Sequence, residues 1–339
     1  MRHLVIGAGA TLAEALDHGC PPEFHPPLIR DFARKTWMNY SPHPVLEAYL
    51  HELGYTDLGD DPRELFYRLE EKGRVNIETF LKFSWVNRNR PWVPDLVNVP
   101  PGFISGLRIT EAGGSSADVA ADPGGGFWEN LLYHGVGSPL QFLMLQCFFE
   151  NGRGWKSFAL SKGVASVLMA GDLVLNLNYD TVFELALSQA NRPFAYSPIV
   201  PNADQILVCK PHGSLNMVSN DQHFAFGQPE WLGMPQPPGF RSYSGLIPPR
   251  LNKSYSQHPI AAMILAPVAA RAPEQLTMWG VGLAESDVDL TELYKAWVSH
   301  TKRIEVVNPS PRVAERVHAL FSCDVVHFSS VAEWERSRC

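Results

Sequence analysis

The sequence of 339 residues predicts an α/β protein, a mostly parallel sheet covered on both faces by helices, with a helical module inserted after its first strand. Leu4-Val-Ile6, the turn Gly7-Ala-Gly9 and then Leu12-Ala-Glu-Ala-Leu16 read as a buried strand, a tight glycine turn and a helix. After Gly171 short apolar runs alternate with helical patterns. Strands separated by helices of that length imply right-handed crossovers and parallel pairing. Residues 42–168 carry amphipathic helical patterns and a long Gly/Pro-rich loop. The architecture is therefore Rossmann-like: a single domain, 1–339, with residues 1–41 and 169–339 as the sheet part and 42–168 as the insertion.

In chain order, the first strand and its helix are followed by a proline-rich loop (Pro21, Pro22, Pro26, Pro27) and helices to about residue 90. Asp61, Pro62 and Glu64 form a helix start, with Asp61 as N-cap and Glu64 three residues on. A second helix starts at Asn76 with Ile77, Phe80, Leu81 and Trp85 at helical spacing. Residues 91–126, rich in Gly, Pro and Ser, are expected to be a loop, and loops of that length are usually functional. Phe127 to Glu150 is apolar at helical spacing but broken by Gly135, Gly137 and Pro139, which predicts two short helices. The alternating part follows. Strands are expected at Leu173 to Asn178, Ile206 to Lys210, Leu276 to Trp279, Ile304 to Val307 and Val325 to Phe328, with helices at Thr181 to Gln189, Val288 to Val298 and Arg312 to Phe321.

Composition narrows the function classes. Lys and Arg number 28 against 35 Asp and Glu, a net charge of −7, which argues against direct nucleic-acid binding because phosphate neutralisation needs a clustered basic surface. Hydrophobic residues at 45% and charged residues at 19% suit a chain with a sizeable core. Met1-Arg-His-Leu-Val-Ile6 has one basic residue and an apolar run that stops at Gly7, too short for a signal peptide or a membrane span, so a cytoplasmic location without membrane association is expected. The five cysteines (Cys20, Cys147, Cys209, Cys323, Cys339) form no C-x-x-C pair and no cluster at zinc-ligand spacing, which predicts buried reduced thiols and no bound metal.

Five segments could carry chemistry. Gly7-Ala8-Gly9 lets backbone N–H groups approach a phosphate at a helix N-terminus, but Leu12 stands where a dehydrogenase fingerprint has its third glycine. Asn176-Leu-Asn178-Tyr-Asp180 sits at a strand end, where Asn178 or Asp180 can face a sugar, fix a water or cap the next helix. In Lys210-Pro-His212-Gly-Ser-Leu-Asn216 a histidine at the sheet edge, with glycine beside it, can act as a general base. Gly280-Val-Gly282-Leu283 with Ser286 and Asp287, and the strand end Asn308-Pro309, can each line a nucleotide or be an ordinary strand-to-helix turn.

In their order, these segments resemble the SIR2-like NAD-consuming superfamily, specifically its zinc-less bacterial branch found in anti-phage defence systems. Asn176-Leu-Asn-Tyr-Asp180 is similar to that family's T-x-N-Y-D segment and Lys210-Pro-His-Gly-Ser-Leu-Asn216 to its K-x-H-G-S-L-N segment. Pro26-Pro-Leu-Ile-Arg-Asp31-Phe32 looks like the loop that lies over the nicotinamide side. The two cysteine pairs of the zinc ribbon in sirtuin deacylases are missing, and Leu177 stands where they have glutamine, which counts against protein deacylation.

The resemblance implies an NAD+ glycohydrolase that takes NAD as substrate and releases nicotinamide and ADP-ribose, with Asn178 and His212 as catalytic residues. Gly7, Ala8, Gly9, Asp31, Phe32, Asp180, Gly280, Gly282 and Asn308 would bind the dinucleotide. It also implies an effector of NAD depletion that assembles as a homo-oligomer and is gated by a separate partner, such as a HerA-type hexameric ATPase or an Argonaute-like protein. The alternative is a non-catalytic NAD or ADP-ribose sensor that keeps the binding residues while His212 is structural.

Overall fold

Strands covered on both faces must be apolar along their whole length, and Leu173-Val-Leu-Asn176 and Ile206-Leu-Val-Cys209 are buried at every residue. The computed structural model of the chain describes residues 1–38, 40–42, 45–87, 131–150, 152–219, 223–231, 245–247, 258–283 and 288–338. Its main sheet is built from β1 (Arg2–Ile6), β4 (Leu173–Asn176), β5 (Phe194–Tyr196), β6 (Ile206–Cys209), β9 (Gln275–Trp279), β10 (Arg303–Val307) and β11 (Val325–Phe328). These seven strands lie in the order β11-β10-β9-β1-β4-β6-β5, every neighbouring pair parallel. This is the Rossmann-like α/β fold expected from the sequence. Two small antiparallel hairpins, β2 (Phe149–Glu150) with β3 (Gly154–Trp155) and β7 (Met217–Ser219) with β8 (Phe224–Phe226), stand apart from it.

Alternate residues of the strands feed two cores. Val5, Leu175, Leu207, Met278 and Val306 point to one face, where they meet α9 (Pro259–Ala269), α10 (Val288–Val298) and α11 (Pro311–Phe321). Leu4, Ile6, Val174, Val208, Trp279 and Val307 point to the other, under α1 (Ala8–Asp17), α7 (Ala159–Ser166), α8 (Val182–Gln189) and α12 (Val331–Arg336). The remaining helices, α2 (Phe32–Thr36), α3 (Val45–Glu52), α4 (Pro62–Glu71) and α5 (Ile77–Val86), gather around Trp37, Phe66 and Phe80. Asp61 caps α4 by accepting the Arg63 N–H at 2.9 Å, with Pro62 in the first turn. A fourth cluster packs α6 (Ser138–Phe148) through Met144 and Phe148 onto Val182 and Leu185 of α8, so α8, also packed on the sheet through Phe183 and Leu187, is covered on two sides and buried from Val182 to Leu187.

Two expectations need correction. In place of two short helices, residues 131–148 form one helical run in which the π-helical turn Tyr133–Gly137 leads directly into α6. The wider π turn takes in the two glycines, and Pro139, which has no N–H to donate, lies just past it. Cys20 and Cys147, expected as separate thiols, are joined in a disulfide across 127 residues of sequence. Packing of α6 against the end of α1 brings them together, which sequence spacing does not reveal. Cys209 is a free buried thiol whose pKa burial pushes up to about 12. The 91–126 loop lies outside the described residues. Among the described residues no helix is long and apolar enough to cross a membrane.

Candidate functional site

The strand order reverses at β1, which has β4 on one side and β9 on the other. Ligands of open α/β sheets bind outside the carboxyl ends of the strands at such a point. Ile6 is in register with both Asn176 and Trp279, so the turns that follow β1, β4 and β9 emerge side by side. The first and third are locked together by backbone. The Gly7 N–H donates to the Trp279 carbonyl and the Gly9 N–H to the Gly280 carbonyl, both at 3.0 Å. A Cβ on Gly7 would sit 2.6 Å from the Gly280 oxygen, and one on Gly9 would sit 2.9 Å from it. Gly280 has φ +65°, and a Cβ there would run into the Ala10 nitrogen. The glycines thus allow two turns to touch, and the crevice floor is their shared backbone. Exposed Ala8 opens α1 above it.

Into this floor reaches Asn178, nearly buried at 7% exposure. Its Nδ2 donates to the Gly7 carbonyl at 3.1 Å and to Thr11 Oγ1 at 3.0 Å, and Thr11 Oγ1 donates onward to Asp180 Oδ2 at 2.8 Å. Asn178 Oδ1 is therefore the atom of that amide left to accept a hydrogen bond from a water or a sugar hydroxyl. Asp180 has two jobs: its Oδ1 also accepts the Val182 N–H at 3.1 Å and caps α8. Burial pushes its carboxyl above the ordinary aspartate range, while the Lys210 charge and the hydrogen bonds from Thr11 and Val182 work against that rise.

His212 follows β6. A carbonyl can only accept, so the 2.7 Å contact of His212 Nδ1 with the Leu177 carbonyl makes Nδ1 the donor. In the neutral ring the lone pair is then on Nε2, the position a general base uses. The loops after β4 and β6 are stitched together: the Leu215 N–H and the Ser214 hydroxyl both donate to the Tyr179 carbonyl. The Tyr179 ring centre lies 6.2 Å from that of His212, and its phenol donates to the Ile247 carbonyl at 3.3 Å. Gly213 takes φ +75° so that the chain can turn beneath the Gly245 carbonyl.

Other expected residues hold local structure. Asp31 Oδ1 accepts the Leu28 N–H at 2.7 Å and its carboxylate pairs with Lys35 at 3.1 Å, which closes the proline-rich loop on itself. Phe32 packs between the helical-module core and the α6 cluster. Glu70 of α4 accepts the Ala33 N–H just beyond it, and burial pushes that carboxyl up to about 7. Asn308 Oδ1 accepts the Ser310 N–H at 3.0 Å and so serves the turn into α11. Gly282 is exposed with open space around it, and Ser286 and Asp287 lie outside the described residues. Direct hydrogen bonds thus join Asn178 to Gly7 and Gly9 to Gly280, Thr11 bridges Asn178 to Asp180, and His212 is anchored on Leu177, one residue before Asn178. The sequence reading missed Thr11, which links Asn178 to Asp180, and Glu184, which accepts from Asn176. A hydroxyl in the first turn of α1 was the available signal for Thr11.

Fold and site together define a Rossmann-like α/β protein with a cluster of hydrogen-bonded polar side chains at the carboxyl ends of its strands, where the strand order reverses. The chain matches no known family model and no curated protein.

Proposed function

We propose that this protein is an NAD+ glycohydrolase that cleaves the bond between nicotinamide and ribose. The observation that supports the reading is that Asn178 and His212 follow the carboxyl ends of the neighbouring strands β4 and β6 and are each held by hydrogen bonds: Asn178 Nδ2 on Gly7 and Thr11, and His212 Nδ1 on Leu177. Pyridinium is a good leaving group, so the protein's work is to hold the ribose, stabilise positive charge at its anomeric carbon and deliver one water. Asn178 Oδ1 orients that water or a ribose hydroxyl, His212 takes the proton, and Asp180, joined to Asn178 through Thr11, holds the ribose or orients its neighbour. The N-terminus of α1, opening at exposed Ala8, is the part that suits the diphosphate, since the Gly7 and Gly9 N–H groups are already held by the Trp279 and Gly280 carbonyls and the glycines serve to let the two turns meet. Asn308 and Gly282 belong to the adenosine side, and the Asp31–Phe32 loop to the nicotinamide side.

An unregulated NAD hydrolase depletes its own cell, so the proposal includes gating through homo-oligomer assembly or a separate partner of the HerA-type ATPase or Argonaute-like kind, as an anti-phage effector. The candidate lid is the loop from Pro26 to Phe32, which leads into α2, where the Ala33 N–H is held by Glu70 of the helical module. The test is nicotinamide release from NAD by the purified protein, alone and with extract of phage-infected cells. His212→Ala and Asn178→Ala each lower the rate by on the order of a hundred- to ten-thousand-fold. Near-normal turnover in either variant removes its residue from the mechanism. A second reading, a non-catalytic NAD or ADP-ribose sensor, draws on the near burial of His212 at 7% exposure, and it requires saturable binding without release of nicotinamide.

A further inference from the structure

Lys210 and Glu184 are both fully buried, and their charges meet at 3.0 Å. Such a pair gives up hydration that apolar residues of equal volume never had, so stability alone is a poor reason for it. Its hydrogen bonds lead to the strand end that carries Asn178. Both Glu184 oxygens accept from Asn176 Nδ2, at 3.1 and 3.2 Å. With its nitrogen held there, the Asn176 amide has one orientation, and Oδ1 turns to accept the Asn178 main-chain N–H at 3.0 Å. A flipped amide would set oxygen against carboxylate and NH₂ against N–H. Lys210 Nζ also donates to the Asp180 carbonyl. On the crevice side Thr11 joins the Asn178 amide to the Asp180 carboxylate. The bonds close a ring through Lys210, Glu184, Asn176, Asn178, Thr11 and Asp180.

We propose that Glu184 is a positioning residue: by orienting the Asn176 amide it sets the main chain of Asn178, and with it the direction in which Asn178 Oδ1 is presented to the crevice. The proposal rests on the reading of Asn178 as the residue that orients water or ribose. It also gives asparagine at position 176 a reason, since this residue must donate to a carboxylate and accept from an amide at once. Burial pushes the Glu184 carboxyl above its ordinary range, and the charge and hydrogen bond of Lys210 oppose that rise.

Removing one charge strands the other in the core, so the test compares two double variants that remove both. Glu184→Gln with Lys210→Met keeps an oxygen for Asn176 to donate to; Glu184→Leu with Lys210→Met removes it. Cooperative thermal unfolding checks that both are folded. The leucine variant is expected to lose on the order of a hundredfold more kcat for nicotinamide release than the glutamine variant, with KM for NAD little changed. Hydrogen exchange of the Asn178 amide, read by mass spectrometry on a peptide spanning 176–180, is expected to speed up in the leucine variant alone. Equal exchange in the two variants overturns the proposal whatever the rates do. Faster exchange with equal kcat in active variants also overturns it, because the position of Asn178 would then not matter to the reaction. If the unaltered protein leaves NAD intact under every condition, the hydrolase reading fails, and the exchange contrast alone decides whether Glu184 positions Asn178.

Discussion

Gly280 shows how a single residue decides whether the crevice exists. Its φ of +65° is a region in which a side chain costs about 1–3 kcal/mol, and a Cβ there also meets the Ala10 nitrogen, a backbone atom of α1 with no freedom to swing away. Gly280→Ala therefore pushes α1 off β9. The expected result is a loss of stability of at least that size in chemical denaturation. Gly282, two residues on, has nothing within 4 Å of where a Cβ would stand, so Gly282→Ala is expected to leave stability within about 0.5 kcal/mol of the parent. If Gly282 borders the bound dinucleotide, the same substitution weakens NAD binding by calorimetry without a matching stability loss. Equal stability losses at the two positions would mean that the turns after β1 and β9 do not touch as described.

Between elements, one carboxylate and one disulfide hold the edges of the fold. Glu305 on β10 is buried and accepts from Thr277 Oγ1 at 2.9 Å, Trp334 Nε1 and Arg303 Nε at 2.8 Å, and Arg338 Nη2 at 2.7 Å. Glu305→Ala leaves the Trp334 and Thr277 donors without this partner, a cost of about 3 kcal/mol, and it frees α12, which should then be cut first in limited proteolysis. The disulfide between Cys20 and Cys147 closes 127 residues, which in a chain-entropy account is worth about 5 kcal/mol. A reductant should lower Tm in the parent and leave Cys147→Ser unaffected; a parent Tm indifferent to reductant would show that the bond does not form in solution. These ties mark the limit of what the sequence displays. Strands β4 and β6 were legible because burial on both faces makes a parallel strand continuously apolar. Edge strand β5, only Phe194–Tyr196, has too few residues to show a period, and α7 carries Gly163 and two serines that blur its apolar stripe. Asn178 and His212 were legible because both follow apolar strands. Thr11, Glu184 and Glu305 were not, because their partners come from other elements and only packing brings them within reach.

At the scale of the whole molecule, folding fixes the protonation of groups outside the set of site residues, and the pH dependence of stability reads them out. His3 on β1 is fully buried beside Trp297, ring centres 4.5 Å apart, and burial, helped by the charges of Arg271 and the N-terminus, lowers its pKa to about 3. A base with a depressed folded-state pKa contributes stability that is whole above its unfolded value near 6.5 and is lost as pH falls toward 3. The slope is about 1.4 kcal/mol per pH unit while the unfolded ring alone takes up a proton. Glu70 has the opposite sign. Burial raises its carboxyl to about 7, against the pull of the Ala33 and Arg34 amides, so the folded state holds a proton that the unfolded state releases above about 4.5. Its stabilising contribution is whole below that value and is lost as pH rises through 7. Other buried carboxyls also titrate, but in the difference between a variant and its parent the groups common to both drop out. His3→Phe, measured by denaturant unfolding, is therefore expected to gain on the parent by about 1.4 kcal/mol for each unit of acidification from pH 6.5 toward 3. Glu70→Gln is expected to lose against the parent at a similar slope from pH 7 to about 4.5. If the two difference curves run flat or slope the same way, then His3 and Glu70 are not the buried neutral groups that the packing makes them, and the tie between α4 and the Ala33 N–H would have to be drawn differently.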